Sequence, residues 1–413
     1  MGEPAGLAAI YQHLHENPEL SFDETATAAL VAAELDRCGF DTTTGVGVTG
    51  VVGVLRNGPG PTVLLRADMD ALPVEEQTGL AYASTARATD PHGRDVPVMH
   101  ACGHDMHVTC LIGASRSLAL DRDAWSGTLV VVFQPAEELG TGARAMIEDG
   151  VFDRFPRPDV VLGQHVSPLP AGTIGLRSGP AFAASDALRI TVHGRGGHGS
   201  RPEVTIDPIV IGASIVTRLQ TIVSREVAGT DVAVLTVGAF HAGFKENIIP
   251  DSAELSLSVR TFEAGVRDRV LAAIHRVAAG EAAAGGAIRE PDVVLVESFP
   301  AVVNSSASTD RVRQAFTTAF GTDTLVDPGL VTGSEDVGLL ASAAGAECVY
   351  WLLGGADPSH FAAAQSTAEV LSTVRDLPSN HSPLFAPTIE PTLTNGVATL
   401  TTAALAWLAP PGR

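Results

Sequence analysis

Residues 98–108, VMHACGHDMHV, concentrate side chains that bind metal ions. Eight consecutive positions hold a thiol, three imidazoles and a carboxylate, namely Cys102, His100, His104, His107 and Asp105. Thiolates and imidazoles are the ligands that soft and borderline divalent metals prefer. In an extended loop, two side chains spaced like Cys102 and His104 point the same way, whereas in a helix they would diverge. One Cys and one His cannot hold a divalent ion, so further ligands must come from elsewhere in the chain.

The other candidate ligands follow short apolar runs that the sequence pattern predicts to be buried strands. Asp68 and Asp70 follow TVLLR, Glu137 and Glu138 follow TLVVVFQ, and His165 ends DVVLGQ. In an open α/β sheet, binding sites gather at the carboxyl ends of the strands. We therefore expect these groups to meet at one end of the sheet. Asp105 is expected to cap the helix that begins beside it.

The adjacent pair Glu137 and Glu138 predicts a division of roles. Neighbouring residues of an extended segment point to opposite sides, so one carboxylate is expected to bind metal and the other to remain free. A metal lowers the pKa of water from roughly 15.7 to about 7, and a free carboxylate can take the proton. This arrangement suits metal-assisted hydrolysis. Without the other candidate ligands, a Glu pair after a strand would more simply indicate a solvated loop with no catalytic role.

Alternating helix and strand patterns predict an α/β fold with a largely parallel sheet, covered on both faces. Near residue 183 the pattern changes to half-exposed alternating strands, with helical patterns over IDPIVIGASIVTRLQTIVSR and over residues 264–284. We interpret residues 183–302 as an inserted α+β domain of four strands and two helices. Residues 1–182 and 303–413 then form one discontinuous α/β catalytic domain.

Six segments occur in the order found in M20-type metallopeptidases, and the chain resembles that family over nearly its whole length. They are LLRADMDALPVEEQTGLAYAS, MHACGHDMHV, FQPAEE, HGRGGHGSRP, NIIPDSAELSLSVRTF and GSED. HACGHD together with PAEE is a specific signature. The resemblance is greatest to the branch that contains N-acyl-amino-acid amidohydrolases, hippurate hydrolases and indole-acetyl-amino-acid hydrolases.

The resemblance implies a zinc-peptidase-like catalytic domain with two divalent metal ions. The implied ligands are Cys102, His104, Glu138, His165 and His381. Glu137 would be the general base, and Asp70 would orient a ligand without binding metal itself. Only the family match selects His381, because PSNHSPLFAP is otherwise a polar loop. A thiolate-containing site suits Mn, Zn, Co or Ni, and the sequence does not choose among them.

The same resemblance gives the inserted domain a part in catalysis. It implies that His198 steadies the developing oxyanion, and that Asn247 and Arg260 hold the carboxylate of the substrate. In the segment GSED, Glu335 or Asp336 is expected at the rim of the substrate pocket. The alternative is that this segment is a loop with no part in the pocket. The inserted domain is expected to act as a lid and to form a homodimer.

The composition excludes several classes of partner. The formal net charge is −21, and Lys245 is the only lysine among 26 basic residues. Such a surface repels nucleic acid and anionic lipid. No apolar run approaches the roughly 20 residues that span a bilayer. The N-terminus lacks a signal-peptide pattern and the four cysteines form no CxxC pair, so a cytoplasmic protein with a small-molecule partner is expected.

These observations predict a metal-dependent amidohydrolase that cleaves N-acyl amino acids, or small related amides, to a carboxylic acid and a free amino acid. A dipeptidase or aminopeptidase of the same fold is the nearest alternative. A binding protein without catalysis is disfavoured by the complete ligand set. A thiol-redox protein centred on Cys102 is disfavoured because no resolving cysteine lies nearby.

Three departures from the family pattern bear on the substrate. Residues 84–97 lengthen the link before the metal-binding cluster and are expected to form a flap. Residues 244–246 are FKE, where the family more usually has small residues. Position 337 is Val, where an aromatic residue is more usual. Both sites are expected to line the substrate pocket. For His100 and His107, the sequence leaves open whether they support the site by hydrogen bonds or only pack beside it.

Overall fold

A computed structural model of the chain describes residues 6–408. The helices in this range are α1 (Leu7–Glu16), α2 (Thr25–Arg37), α3 (His104–Leu120), α4 (Gly142–Glu148), α5 (Val151–Arg154), α6 (Pro208–Arg225), α7 (Ala264–Ala284), α8 (Ser306–Phe320), α9 (Val337–Ala344), α10 (Thr367–Val374) and α11 (Thr392–Leu408). The strands are β1 (Asp41–Val46), β2 (Gly50–Asn57), β3 (Thr62–Asp68), β4 (Arg87–Thr89), β5 (Asp95–Pro97), β6 (Gly127–Gln134), β7 (Val160–Pro170), β8 (Ile174–Gly175), β9 (Gly179–Phe182), β10 (Ala184–His193), β11 (Gly197–His198), β12 (Ala233–Ala242), β13 (Ile248–Ile249), β14 (Ser252–Thr261), β15 (Asp292–Phe299), β16 (Val302–Asn304), β17 (Leu325–Val326) and β18 (Glu347–Ala356).

The chain divides into two compact units. The larger comprises Met1–Gly179, Val303–Gly329 and Asp336–Arg413, and the smaller comprises Pro180–Val302 and Leu330–Glu335. The two ends of the predicted catalytic domain, residues 1–5 and 409–413, lie outside the described residues. From the sequence we assigned Leu330–Glu335 to the catalytic domain. In the structure this segment belongs to the smaller unit, because the Ala183 amide donates to the Val331 and Gly333 carbonyl oxygens at 3.0 Å each.

The larger unit is built on one eight-stranded sheet, in the order β1-β2-β6-β3-β7-β18-β8-β17. The central strands β6, β3, β7 and β18 are parallel to one another, as expected for an α/β fold. The expectation of a largely parallel sheet fails towards the edges. There β1 and β2 pair antiparallel, β2 pairs antiparallel with β6, and β8 pairs antiparallel with β18. The sheet is therefore mixed.

Strand β3 shows why the centre of this sheet is stable. Leu64 and Leu65 point to opposite faces of the strand, and both side chains are fully buried. A strand covered on both faces requires a continuous apolar run rather than alternation, and Val63, Leu64 and Leu65 supply one. The polar residues Arg66 and Asp68 at its carboxyl end are equally buried, which marks where the apolar core gives way to the site.

The smaller unit has a four-stranded antiparallel sheet, in the order β12-β14-β10-β15, with helices α6 and α7 packed on it. Strand β14 alternates buried and partly exposed residues along its length. Its inward side chains, including Leu255 and Leu257, join Ile215 of α6 and Ile274 of α7 in a common core. Helix α6 begins where the Asp207 carboxylate accepts the Ile209 amide at 2.9 Å.

Residues 84–97, predicted as a flap, contain a short hairpin in which β4 pairs with β5. Its turn is closed by Asp90, whose carboxylate accepts the amides of His92 and Arg94 at 2.9 Å each. No helix among residues 6–408 is long and apolar enough to cross a membrane.

Candidate metal centre

Cys102 and His104 are positioned by a tight turn at the start of α3. Gly103 adopts a left-handed conformation (φ 82°), and a Cβ there would lie 2.4 Å from a Val166 methyl group. The expectation that Asp105 caps the helix is wrong, because α3 already begins at His104, after Gly103. The Asp105 carboxylate instead lies within the first turn, 2.6 Å from His15 Nδ1.

The structure brings all five predicted ligand residues together, in two groups that share one member. The first group is Cys102, His104 and His165, and the second is Cys102, Glu138 and His381. Within each group the candidate ligand atoms all lie within 4.8 Å of one another. Two clusters of thiol, imidazole and carboxylate donors that share a thiol suit a pair of borderline divalent metals.

Hydrogen bonds orient His104 and His165 as ligands. Nδ1 of His104 lies 2.8 Å from the Asp70 carbonyl oxygen, and Nδ1 of His165 lies 2.7 Å from the Val166 carbonyl oxygen. A carbonyl can only accept, so each Nδ1 carries a proton, and the lone pair that could bind a metal ion is the one on Nε2. Metal-binding histidines commonly have this second hydrogen bond. His165 lies inside β7 rather than at its end, because β7 continues to Pro170 beside β18.

Two buried ligand atoms have no hydrogen-bond partner within the described residues. They are Nε2 of His104 and Oε1 of Glu138, which lie 3.9 Å apart. His381 Nε2 approaches Glu138 Oε1 to 3.1 Å without forming a hydrogen bond. A buried polar atom without a partner is costly. Metal ions bound at these two atoms would remove that cost, so the residues present fit the ions that the ligand set implies.

The electrostatics of the site also favour a cation. Burial lowers the pKa of His104, but the nearby carboxylates, foremost Asp68 and Asp70, outweigh burial and raise that pKa to about 10. Burial raises the pKa of the Cys102 thiol well above its ordinary value, and the charge of Glu138 raises it further. The rise for His104, and the smaller part of the rise for Cys102, reflect an excess of negative charge in a buried space. A divalent cation would supply the missing positive charge and favour the thiolate.

The loop after β6 carries Glu137 and Glu138 in a 3₁₀ turn, Glu137–Leu139. The expectation that the two carboxylates diverge is wrong, because the turn replaces the extended backbone on which it rested. His104 Nε2 lies 4.0 Å from Glu137 Oε2 and 3.9 Å from Glu138 Oε1, so both carboxylates approach the same imidazole. Either side chain can therefore reach the metal centre.

Two buried carboxylates hold the backbone of this loop. Asp70 Oδ1 accepts the Glu137 amide at 3.1 Å, and Asp70 Oδ2 accepts the Glu138 amide at 3.0 Å. Glu24 Oε1 accepts the preceding amide, that of Ala136, at 2.8 Å. Burial and the charge of Asp70 raise the pKa of Glu24 to about 7. Glu24, the last residue of the segment HENPELSFDE, was not among the residues predicted from the sequence.

His107 and Asp68 form, with His104, a further group whose ligand atoms all lie within 4.8 Å of one another. In the structure, however, these two side chains already hydrogen-bond to each other and to neighbouring groups. His107 Nδ1 lies 2.5 Å from Asp68 Oδ1, and its Nε2 accepts the Val166 amide at 2.7 Å. Asp68 Oδ2 accepts from Arg66 at 2.5 Å. Burial lowers the pKa of His107 to about 4, which keeps the ring neutral. His100, also buried, has no hydrogen bond at either ring nitrogen and only packs beside the site.

The predicted pocket-rim residues have different surroundings. Asp336, in the larger unit, accepts from Arg66 Nη2 at 3.0 Å and from Gln134 Nε2 at 2.6 Å, and its side chain is fully buried. Asp336 is thus part of the support beneath the site, not its rim. Glu335 is fully buried in the smaller unit.

The remaining predicted residues lie in the smaller unit. His198 and Asn247 are neighbours there, because the Gly199 amide donates to the Asn247 carbonyl at 2.8 Å. His198 Nδ1 accepts the Ser200 amide at 3.1 Å, so the neutral ring carries its proton on Nε2. Arg260, in β14, donates to Ser334 Oγ at 2.6 Å.

Comparison with known proteins decides the family. Residues 64–378 match the family described as Peptidase family M20/M25/M40. The chain belongs to this family. It is 41% identical over 314 residues to a hippurate hydrolase from Campylobacter jejuni, covering 76% of this chain and 78% of that protein. It is 40% identical over 335 residues to thermostable carboxypeptidase 2 from Saccharolobus solfataricus, covering 80% and 81%, respectively.

Among solved structures, the M20-family chain is similar to the YXEP protein from Bacillus subtilis, described as a dinuclear metal-binding peptidase of the M20 family. The TM-score is 0.76 at 30% sequence identity, covering 97% of this chain and 96% of that one. The M20 resemblance and the α/β fold class predicted from the sequence are confirmed. The ligand groups and this neighbour together support a site for divalent metal.

Proposed function

We propose that this protein is a metal-dependent amidohydrolase that cleaves N-acyl amino acids to a carboxylic acid and a free amino acid. The observation that carries the proposal is the pair of ligand groups sharing Cys102, with the Glu137 carboxylate beside them. Two relatives have names that match this chemistry, the hippurate hydrolase at 41% identity and a Bacillus subtilis N-acetyl-L-cysteine deacetylase at 38%. Hippurate and N-acetylcysteine are both N-acyl amino acids.

Two divalent ions would be held by Cys102, His104, Glu138, His165 and His381. When bound, such ions polarise an amide carbonyl and lower the pKa of water. Manganese, zinc, cobalt and nickel all suit this donor set. The Nδ1–H groups of His104 and His165, donating to backbone carbonyls, keep each imidazole in the orientation and tautomer that a ligand needs.

Glu137 is the proposed general base. Its side chain is buried and its backbone amide donates to Asp70. Both features restrict the movement of the Glu137 carboxylate and keep it close to the proposed ligands. In this role it takes a proton from the attacking water. It then delivers that proton to the amide nitrogen as the C–N bond breaks, which lets the amine leave as a neutral group.

The smaller unit supplies the proposed substrate contacts. The Nε2–H of His198 is a suitable donor for the oxyanion that forms on the amide oxygen, because its tautomer is fixed through Ser200. Arg260, with Asn247, is proposed to bind the amino-acid part of the substrate, whereas Glu335, predicted at the pocket rim, is fully buried and is given no substrate contact. An Arg guanidinium holds a carboxylate by two parallel hydrogen bonds. Closure of this unit as a lid, a homodimer through it, and a cytoplasmic location stay predictions.

A carboxypeptidase is the second candidate, because the Saccharolobus solfataricus relative bears that name. Carboxypeptidases also cut an amide bond next to an amino acid with a free α-carboxylate, so the same ligand set and Arg260 would serve. A dipeptidase would further require an acidic group that meets a free α-amine.

Release of free amino acid from a substrate panel separates these functions. The panel contains N-acetyl, N-benzoyl and longer N-acyl amino acids, N-blocked peptides and free dipeptides, tested with manganese-loaded enzyme. We expect chelator-sensitive turnover of N-acyl amino acids and none of free dipeptides. Turnover of N-blocked peptides alone would make the protein a carboxypeptidase, and turnover of free dipeptides alone would make it a dipeptidase.

A further inference from the structure

Three consecutive backbone amides in the loop after β6 are each received by a buried carboxylate. Asp70 accepts the amides of Glu137 and Glu138, and Glu24 accepts that of Ala136. Glu24 belongs to none of the ligand groups and lies 112 residues before Ala136 in the chain. Its contact with the loop therefore has to be explained by something other than metal binding.

The residue that Glu24 holds has an unusual backbone. Ala136 adopts a left-handed conformation, with φ 47° and ψ 42°. Residues other than glycine avoid this region because their Cβ approaches the following carbonyl oxygen. Strained backbone persists where the surroundings over-determine it, and such positions cluster at active sites. Here the strained residue comes directly before Glu137, so its conformation sets the direction in which the Glu137 turn begins.

Glu24 is itself held rigidly. Its side chain is fully buried, and Thr49 Oγ1 donates to Oε2 at 2.5 Å, which leaves Oε1 directed at the Ala136 amide. Ser21, three residues earlier in the chain, donates from Oγ to Asp70 Oδ2 at 2.7 Å. The segment that precedes α2 thus supplies one of the two carboxylates that hold the loop, and a hydroxyl that holds the other.

We propose that Glu24 is a positioning residue for the general base, acting through the backbone of Ala136. It locks the left-handed conformation from which the Glu137 turn starts, and so holds the Glu137 carboxylate where it can take the proton of the attacking water. This inference rests on the proposed function. Glu24 touches neither substrate nor metal and is not a catalytic residue.

The test compares Glu24→Ala with Glu24→Gln in the metal-loaded enzyme. Ala leaves the Ala136 amide without its acceptor, whereas Gln is isosteric, can accept that amide through Oε1 and can donate to Thr49 Oγ1. Because a misplacement of about 1 Å can cost roughly 100-fold in rate, we expect Glu24→Ala to lower kcat by about that factor. KM and the number of bound metal ions should stay unchanged, and Glu24→Gln should restore kcat to within about fivefold of the wild type.

A second pair of variants covers the case in which Glu24→Ala does not fold. Thr49→Val removes the hydroxyl that holds Glu24, and Thr49→Ser keeps it. A lower kcat for Thr49→Val than for Thr49→Ser, with equal KM, supports the proposal. The proposal is overturned if Thr49→Val and Thr49→Ser have equal kcat. It is also overturned if Glu24→Ala folds and has the kcat of the wild type.

Amide hydrogen exchange across residues 136–139 provides a readout that does not depend on turnover. Exchange should be slow in the wild type, faster in Glu24→Ala and slow again in Glu24→Gln. This pattern in a protein that hydrolyses nothing in the substrate panel would contradict the proposed function while supporting the role of Glu24 in the loop. Equally slow exchange in Glu24→Ala would overturn the inference even if the enzyme is active.

Discussion

His107 Nε2 accepts the backbone amide of Val166 at 2.7 Å, directly after His165 in strand β7. This hydrogen bond uses the only lone pair of the neutral imidazole, because Nδ1 faces Asp68 at 2.5 Å. We therefore expect His107 to anchor the strand that carries the proposed ligand His165 rather than to bind metal itself. On this account His104 and His107, three positions apart, have different roles.

Removal of His107 is expected to weaken metal binding without removing a site. Loss of a residue that supports a ligand typically costs 10- to 100-fold in metal affinity, so His107→Ala should raise the Kd by roughly that factor. At saturating metal, the number of ions per chain should equal that of the wild type. His165→Ala, which removes a proposed ligand, should lower that number. Metal titration followed by elemental analysis measures both quantities, and a reduced ion number for His107→Ala would show that His107 is a ligand.

Arg260 is expected to recognise the carboxylate of the substrate. A hydrogen bond to a charged group contributes about 1.5–3 kcal/mol, so Arg260→Ala should raise KM for N-acyl amino acids by roughly 10- to 100-fold. The corresponding carboxamide substrates have no such charge, and their KM should change little. Steady-state kinetics on matched acid and amide substrates measure the difference. An equal rise in KM for the acid and the amide substrates would refute recognition of the carboxylate by Arg260.

His15 is expected to make stability depend on pH in the alkaline range. It lies between Asp105, 2.6 Å from Nδ1, and Glu76, 3.1 Å from Nε2. Burial lowers the pKa of His15, but the hydrogen bonds to Asp105 and Glu76 outweigh burial and raise it from 6.5 to about 10. Because the folded-state pKa is raised, the stabilisation is fully present below pH 6.5 and is lost as pH rises through about 10.

Chemical denaturation of the metal-free protein measures this effect, with His15→Gln as the control. The difference in free energy of unfolding between wild type and variant should be largest around pH 6.5 and should shrink as the pH rises towards about 10. A difference that stays constant over this range would show that His15 is neutral in the folded protein.

The sequence predicted which residues lie together at the candidate centre better than it predicted how they are held. Cys102, His104 and Glu138 were identified because their residue types and the family motifs name them. The support from Glu24 could not be predicted, since a carboxylate 112 positions from Ala136 becomes its partner only in the folded chain. A pattern of residue types does not encode such long-range hydrogen bonds.

Local backbone geometry accounts for the wrong expectations. The divergence of Glu137 and Glu138 assumed an extended segment, and the 3₁₀ turn removed that premise. The cap by Asp105 assumed a later helix start, whereas Gly103 in a left-handed conformation begins the helix at His104. The antiparallel edge strands depend on pairings that neither periodicity nor strand length reveals. Residues 264–284, in contrast, form α7 as their periodicity predicted.

The most direct measurement is metal content and turnover in the same preparation of Glu137→Gln, beside Glu138→Gln. Loss of a general base costs roughly 100- to 10,000-fold in rate, so Glu137→Gln should retain two ions per chain while turnover of N-acyl amino acids falls by about that factor or more. Glu138→Gln should bind less metal. If Glu137→Gln instead loses metal while remaining folded, the roles of base and ligand must be exchanged. If it retains full turnover, Glu137 is not the base.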